Sequence, residues 1–302
     1  MDATPSAHTV NAPFAARALA RWPCALLAPV LLFSAIYSNV SAQGLSQQET
    51  YASSSLNPIQ KEIERQRQRL GSADTEERRD AVMRLGSMSR SDSSRVAANG
   101  LRDPAPIVRA TAARAVLSLP ASEAAGQLLP LLQDRDQFVR QETAYALGET
   151  RSSVAVSALV TVLAGDKEPG VRAAAAVALG MIRDELAVIP LTEALTLRVP
   201  APGLLNRLRR KKTEQNEFVR RSSARALGQI GSRAAVPMLS RTLIDDRAGD
   251  DVRREAARAL GLIGDPSSIA VLRAVLTSRD PYLSRIAHEA LRKIVPNEAP
   301  QP

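Results

Sequence analysis

The sequence DVRREAARALGLIGD, from Asp251 to Asp265, nearly repeats FVRRSSARALGQIGS, from Phe218 to Ser232. Its apolar residues recur at positions i, i+4, i+7, i+8 and i+11 between Val252 and Ile263, which is typical of one face of an amphipathic helix. A chain that repeats a phrase at a fixed spacing builds one structural unit many times. The pattern therefore predicts an array of helices.

The phrase occurs seven times in all. The copies are EERRDAVMRLGSM at Glu76, IVRATAARAVLSL at Ile107, FVRQETAYALGET at Phe138, GVRAAAAVALGMI at Gly170, FVRRSSARALGQI at Phe218, DVRREAARALGLI at Asp251 and YLSRIAHEALRKI at Tyr282. Their spacing is 31, 31, 32, 48, 33 and 31 residues, and segments such as SSVAVSALVTVLAGD (Ser152–Asp166) indicate a second helix between them. Each unit is predicted to be helix A, a turn and helix B. Such a pair buries its apolar face only by stacking on its neighbours.

The pattern P-L…L…D…VR-x-x-A-x-x-A-L-G-x-I-G resembles the HEAT repeat, in the short form called the PBS-lyase-type HEAT-like repeat. The resemblance covers residues 57–296. It implies an all-α fold, a right-handed α-solenoid of about seven helical hairpins. The family is known mainly for solenoids that bind other macromolecules. The resemblance therefore implies a scaffold for protein–protein interaction, although a fold does not by itself fix a function.

Composition agrees with closely packed helices, because 45% of residues are apolar but only 3% are aromatic. The net charge of +9 and pI of about 10.4 suit an acidic protein, nucleic acid or an anionic lipid surface. An arginine bias on a solvated bacterial protein explains the charge equally well. The one cysteine, Cys24, lies near the N-terminus, so the rest of the chain has no disulfide, zinc knuckle or thiol nucleophile.

The N-terminus has the pattern of a secretory signal peptide. Arg17 and Arg21 precede an apolar run of about 14 residues, which is short for a bilayer-spanning helix of about 20 residues. Small residues at Val40–Ala42 predict cleavage before Gln43. The expected organisation is a signal peptide (1–42), a flexible leader (43–56), the solenoid (57–296) and a tail (297–302). An exported protein, periplasmic or secreted, is expected; an uncleaved inner-membrane anchor is the alternative.

A column of arginines stands near the start of the B helices, at Arg109, Arg140, Arg172, Arg220 and Arg253. Such a column is compatible with phosphate binding. The resemblance to HEAT repeats implies a structural role instead, in which each arginine pairs with an aspartate of the preceding turn and links the repeats as a ladder. Asp136 and Asp166 are the candidate partners.

The resemblance also implies that the B helices line the concave side of the solenoid. Two outward columns then predict a groove with a small apolar centre and an arginine-rich C-terminal half. The predicted contact residues are Tyr145, Val177, Arg221, Arg225, Arg254 and Arg258. Arginine at such a surface can fork to carboxylates or phosphates and stack on rings. A solvated helix face with internal pairs such as Glu255–Arg258 is the alternative.

The 48-residue spacing marks an insertion of about 16 residues near Arg198 to Asn216. VPAPG breaks the preceding helix, and LLNRLRRKKTEQ predicts a short basic helix. Its positive cluster consists of Arg207, Arg209, Arg210, Lys211 and Lys212. Insertions in solenoids become loops that often bind partners. The cluster therefore predicts contact with a partner or a membrane surface; a tolerated surface insertion is the alternative.

Catalysis finds little support in the sequence. No G-x-S-x-G, Walker loop or zinc spacing occurs. His288-Glu289 resembles half of a metal motif of deoxyhypusine hydroxylase, a HEAT-repeat enzyme that needs several such pairs. His288 is therefore predicted to be a partly buried structural residue. The expected protein is a monomeric scaffold with no cofactor and no metal, and with an acidic protein as its partner. A polyanion binder is the alternative, followed by an accessory protein of an enzyme or lyase.

Overall fold

The computed structural model describes residues 57–196, 198–200 and 212–296, with side chains placed throughout except at 198–200 and 212–214. Within these ranges the chain forms fourteen α-helices and one short antiparallel strand pair. The predicted signal peptide, leader and tail lie outside the described residues, and so do Arg207, Arg209, Arg210 and Lys211 of the insertion. None of the described helices is long and apolar enough to cross a bilayer.

The helices alternate between two sets along the chain. The A helices are α1 (Pro58–Arg69), α3 (Ser91–Ala97), α5 (Ala121–Leu128), α7 (Val156–Gly165), α9 (Val188–Leu195), α11 (Val236–Ile244) and α13 (Ile269–Ala274). The B helices are α2 (Thr75–Ser87), α4 (Pro106–Ala115), α6 (Gln137–Thr150), α8 (Pro169–Ile182), α10 (Glu217–Ile230), α12 (Asp250–Ile263) and α14 (Pro281–Ile294). The seven repeated phrases thus coincide with the seven B helices.

The B helices stack directly on one another in chain order, from α2 to α14, and each packs against the A helix before it. The A helices form a second layer with fewer contacts between neighbours. The core between the layers consists of fully buried alanines and leucines, such as Ala174, Leu179 and Leu227. Each pair hides its apolar stripe only against adjacent pairs, so the predicted all-α solenoid is confirmed.

Short side chains that cap backbone N–H groups decide where the B helices begin. The carboxylate of Asp136 accepts from the backbone N–H of Phe138 and Val139, and Asn216 caps α10 in the same way through Phe218. Proline opens other B helices, as Pro169 does in α8, where a missing N–H costs little. The caps therefore fix the phase of each repeat.

The glycine of the A-L-G phrase is where neighbouring B helices approach most closely. A Cβ atom on Gly228 would lie 2.7 Å from the Cα of Ala259 on the next B helix, and Gly261 stands in the same relation to Ala290. The helices also continue past this glycine, since α10 ends two residues later at Ile230. The glycine therefore serves close packing and does not end the helix.

The insertion leaves the stack of B helices intact, because α8 and α10 pack directly on each other. The described part of the insertion is an antiparallel strand pair, β1 (Arg198–Pro200) and β2 (Lys212–Glu214). The prediction of a basic helix is thus wrong at Lys212, which lies in β2. The backbone of β2 finds its hydrogen-bond partners in β1, and this pairing replaces helical hydrogen bonds at the C-terminal end of the insertion.

Two B helices end on a residue in the left-handed conformation that is not glycine. Arg183 follows α8 with φ of 61°, at the position that Gly231 and Gly264 occupy after α10 and α12. This conformation costs a side-chain-bearing residue about 1–2 kcal/mol.

The Arg183→Gly variant is expected to be about 1 kcal/mol more stable to chemical denaturation, because only glycine adopts that φ freely. The reverse change, Gly264→Ala, should lower stability; two variants that shift the midpoint in the same direction would contradict this account.

Candidate functional site

The arginine column forms hydrogen bonds between repeats. Arg109 donates from Nε and Nη2 to the two carboxylate oxygens of Asp134, at 2.7 and 2.8 Å. Arg140 binds Asp166 in the same fork geometry, at 2.7 and 3.0 Å. Arg78, in the same column of the first copy, binds Asp103 and adds a rung that the sequence prediction did not include. These pairs are bidentate and nearly buried, which makes them strong and directional.

The backbone carbonyls of the same aspartates continue the ladder. Asp134 accepts from Arg109 with its carboxylate, while its backbone carbonyl accepts from Arg140 Nη1 at 2.9 Å. The predicted pairing with an aspartate of the preceding turn is therefore wrong for Arg109 and Arg140. The preceding turn offers carbonyls, and the carboxylate comes from the turn that follows. Asp166 binds Arg140, whereas Asp136 caps α6.

The ladder holds its charged groups in their charged forms. Burial alone would raise the pKa of Asp134, but the hydrogen bonds from Arg109 and from the backbone N–H of Asp136 outweigh it, so the pKa lies below its usual value. The pKa values of Asp103 and Asp166 are lowered by the same balance. The carboxylate in turn raises the pKa of Arg109. Ion pairs with these shifts stabilise the folded chain at neutral pH.

At the insertion, neutral oxygens replace the carboxylate of the ladder. Arg172 Nη2 donates to the side-chain oxygen of Gln215 at 3.2 Å, and Arg220 donates to the carbonyls of Leu195 and Ala248. Burial, now without a bound carboxylate, lowers the pKa of both arginines. The arginine–aspartate forks therefore follow one another without interruption only from α2 to α6.

After the insertion the ladder has no carboxylate for Arg253, because Ser278 stands before α14 at the position that Asp134 holds before α6. Arg253 donates to the carbonyl of Leu243 and pairs with the exposed Asp246. Arg254 instead forms the fork with Asp280, at 2.7 and 3.0 Å, and that carboxylate strongly raises the pKa of Arg254. Arg254 was predicted to face a partner. Its fork with Asp280 leaves the side chain 27% exposed and stacked on the Tyr282 ring, so partner contact through Arg254 stays a prediction.

The other predicted arginines lie on the B helices of the C-terminal half, and they differ in how far they are paired. Arg221 forms an ion pair with Asp251 at 3.3 Å, and Arg258 is hydrogen-bonded to Glu255 on its own helix. Arg225 is exposed and has no ion-pair or hydrogen-bond partner among the described residues. The predicted arginine-rich half thus exists, but carboxylates alternate with most of its arginines.

Exposed aromatic rings lie beside these arginines, and the sequence pattern did not predict this pairing. The guanidinium of Arg221 lies over the ring of Phe218 at 5.1 Å, and those of Arg254 and Arg285 lie 5.2 and 5.8 Å from the centre of the Tyr282 ring. Phe218 and Tyr282 both stand at the first position of their copy. A ring that holds a guanidinium in place prepares it for a second contact at small entropic cost.

The apolar opening in the B-helix layer lies nearer the N-terminus than predicted. A cavity of about 390 Å³ lies between α2, α4 and α6, lined by Met83, Ile107 and Phe138 among others. Neither Tyr145 nor Val177 lines it; both are half-buried, and Tyr145 packs on the core. Tyr145 lies on α6 and Val177 on α8, which are both longer than α4. The glycine of each of these helices lies in close contact with the next B helix.

The described residues contain no group of three or more His, Cys, Asp or Glu side chains that could hold a metal ion. His288 is exposed, so the prediction of a partly buried histidine is wrong. The equivalent Ala257 of the previous copy is fully buried. The difference arises because α14 is the last helix in the described part of the chain, and no later described pair covers it.

Several solved structures with similar folds have low sequence identity to this chain. The Escherichia coli protein YibA gives a TM-score of 0.53 at 20% identity, covering 78% of this chain and 81% of that one. The CpcE–CpcF complex of phycocyanin lyase from Nostoc gives 0.45 at 23%, covering 76% and 86%. Human deoxyhypusine hydroxylase gives 0.38 at 21%, covering 77% and 84%. At these identities the likeness shows the fold alone.

A search of curated protein sequences gave no match. The family model for HEAT repeats matches residues 63–148, 125–202 and 201–292, which is most of the chain. The matched residues include every B helix except the last two residues of α14. The match agrees with the paired helices, the ladder and the glycine contacts described above. The chain belongs to the HEAT-repeat family.

Proposed function

We propose that the chain is a non-catalytic binding scaffold, and that the B helices of its C-terminal half hold an acidic protein partner. The observation that carries the proposal is the set of arginines stacked on exposed rings, at Phe218 and Tyr282, beside the unpaired Arg225 within the described residues. Arginine and aromatic side chains together are enriched at the centres of protein interfaces. A HEAT-repeat stack supplies the long surface on which such contacts add up.

The distribution of acidic groups favours a protein over a polyanion. Asp251 lies between Arg221 and Arg254 and pairs with both, and Glu289 lies 3.9 Å from Arg285. A nucleic acid or anionic bilayer presents a dense array of negative charge that these carboxylates would repel. A protein surface can place single carboxylates at the arginines and single cations at Asp251. The polyanion remains an outcome of the experiment below.

The absence of catalysis is part of the proposal, and so are the monomeric state and export from a bacterium. The proposal of a non-enzyme rests on the sequence, in which no G-x-S-x-G, Walker loop or zinc spacing occurs. Export depends on the signal-peptide pattern of residues 1–42. The basic insertion is proposed as a second contact for the same acidic partner, because its cluster of arginines and lysines adds positive charge at the point where the repeat spacing lengthens.

The test compares two arginines of adjacent helices. Arg225 on α10 and Arg241 on α11 are both exposed, and neither has an ion-pair or hydrogen-bond partner within the described residues, but only Arg225 lies on a B helix. The probe is a labelled random copolymer of glutamate and tyrosine, measured by fluorescence anisotropy. Arg225→Glu is expected to weaken binding about five- to tenfold at low salt, and Arg241→Glu less than twofold.

A 20-base-pair DNA duplex serves as the polyanion probe in the same assay. Tighter binding to DNA than to the copolymer, with an equal loss in both variants, would reject the protein-partner proposal and favour the polyanion alternative. A third variant replaces Arg207, Arg209 and Arg210 with glutamine. If the insertion is a second contact, this variant binds the copolymer more weakly than the parent; unchanged binding would limit the proposal to the B helices.

A further inference from the structure

The cavity between α2, α4 and α6 is an apolar recess in an otherwise charged face. Its walls include Met83 and Phe138, which are 52% and 46% exposed, and Ile107, which is half-buried. Its volume of about 390 Å³ is that of a small binding site. Methionine adapts its shape to a guest more readily than branched side chains do. The cavity therefore suits an apolar side chain supplied from outside.

One departure from the repeat lies two residues beyond Ala115 of the cavity lining. The second copy has Leu117 where five other copies have the close-packing glycine. A leucine side chain does not fit into the narrow gap between two B helices that a glycine leaves. Helix α4 also ends early, at Ala115 after 10 residues, whereas α6, α8, α10 and α12 each have 14 residues. The B helices consequently lack one Gly–Ala contact between α4 and α6, whereas Gly86 of α2 and Ala115 of α4, which do make this contact, line the cavity.

The polar groups at the cavity have unused capacity for an anion. Arg79 lines it, and the shielded Nε–H of Arg79 has no acceptor among the described residues. Arg114, on the neighbouring helix, is held only by ion pairs of 3.5 Å to Glu142 and Glu149, which are long for hydrogen bonds. A buried donor without an acceptor costs about 1–3 kcal/mol. An incoming carboxylate would remove that cost once the half-exposed side chain of Arg79 turns towards it.

We propose that this cavity is a second binding site, separate from the arginine–aromatic surface, and that it takes an extended peptide segment in which an apolar side chain stands next to a carboxylate. The apolar side chain packs between Met83, Ile107 and Phe138. The carboxylate lies at the Arg79 end, because Glu76 binds only Nη1 of Arg79, at 3.0 Å, and the Nε–H has no acceptor among the described residues. Neither Arg225 nor the insertion contributes to this site.

The test uses small mimics of that segment and the methyl resonances of methionine. The chain has five methionines, and the signal of Met83 is assigned by its loss in Met83→Leu. N-acetyl-leucine carries the isobutyl group and the carboxylate, and N-acetyl-leucinamide carries the same group without the charge. We expect the acid to shift the Met83 methyl saturably, with a Kd on the order of millimolar. The amide is expected to bind at least fivefold more weakly, and Met238 on α11 should not move.

A matched pair of arginines on α2 separates the site from general charge. Arg79→Gln should remove the preference for the acid over the amide, whereas Arg84→Gln should keep it, because Arg84 is ion-paired to Asp80 on the same helix and does not line the cavity. Equal binding of acid and amide to the parent chain, an unmoved Met83 methyl, or the same loss in both variants would each overturn the proposal. None of these outcomes bears on Arg225, so failure here is distinguishable from failure of the proposed function.

Discussion

Gly228→Ala is expected to destabilise the chain by about 2 kcal/mol, although alanine is the better helix former. The added Cβ would lie 2.7 Å from Cα and 2.9 Å from Cβ of Ala259, and neither atom can rotate away. Helices α10 and α12 must therefore move apart, and overpacking of this kind costs about 1–3 kcal/mol, which outweighs a gain in helix propensity of about 1 kcal/mol. The midpoint of urea denaturation, followed by circular dichroism, measures the change.

The matched control is Gly126→Ala in α5. Gly126 is also helical, but no atom lies within 4 Å of the Cβ that the change adds. This variant should gain about 0.5–1 kcal/mol from helix propensity and the loss of unfolded-state entropy. Opposite signs in the two variants would assign the loss at Gly228 to contact with α12. If both variants gain stability, the close approach of the B helices does not limit the fold.

The repeated phrase was sufficient to predict the fold because it contains the residues that make each contact between repeats. The apolar stripe recurs in phase in all seven copies, the arginine in six and the glycine in five, so the copies predict seven B helices. Periodicity predicts which residues are buried and on which helix they lie. It does not predict which residue of the next repeat each one meets. That is why the aspartate partner was assigned to the wrong turn: the pairing depends on how one repeat is displaced along the next.

Arg253 and Arg254 show the same limit. Helix α12 keeps the phase of the other B helices, because its buried residues and its glycine occupy the same positions in the copy as those of α10. The acceptor is what changes. Each ladder aspartate lies four residues before the first residue of the next copy, and Ser278 holds that position before Tyr282. The carboxylate near this turn is Asp280, the N-cap of α14, and Arg254 binds it.

The cavity includes a residue of a predicted outward column, since Met83 occupies the same position in its copy as Tyr145 and Val177 do in theirs. A column does not predict where along the stack an opening lies, because this depends on how Ile107 and Phe138 of the following copies pack. His288 is a related case, since burial at that position depends on a neighbouring pair that the described chain does not have. In a repeat protein, exposure is therefore set by the neighbouring repeat as well as by the position within the copy.

Asp134→Ala is expected to cause the largest loss, about 3 kcal/mol, because it leaves the guanidinium of Arg109 buried without its counter-charge. The Arg109 and Asp134 side chains are only 8% and 11% exposed, so water cannot replace the lost carboxylate. The variant also loses the hydrogen bond from the backbone N–H of Asp136, which orders the turn before α6. Urea denaturation at pH 7 measures the loss. The control is Glu289→Ala, which removes a 3.9 Å pair with Arg285 in which both side chains are at least half exposed, and little change is expected.

The pH dependence of that loss tests its electrostatic origin. The pKa of Asp134 in the folded chain lies below its usual value of about 4, so the carboxylate contributes its full stability above pH 4 and loses it as the pH falls through the lower, folded pKa. The difference in unfolding free energy between the parent chain and Asp134→Ala should therefore be constant from pH 7 to about pH 5 and shrink below pH 4. Because Asp103 and Asp166 have pKa values lowered in the same way, both proteins should also lose stability overall in this range. A difference that keeps its full size at pH 3 would mean that the shape and hydrogen bonds of Asp134, and not its charge, hold the repeats together.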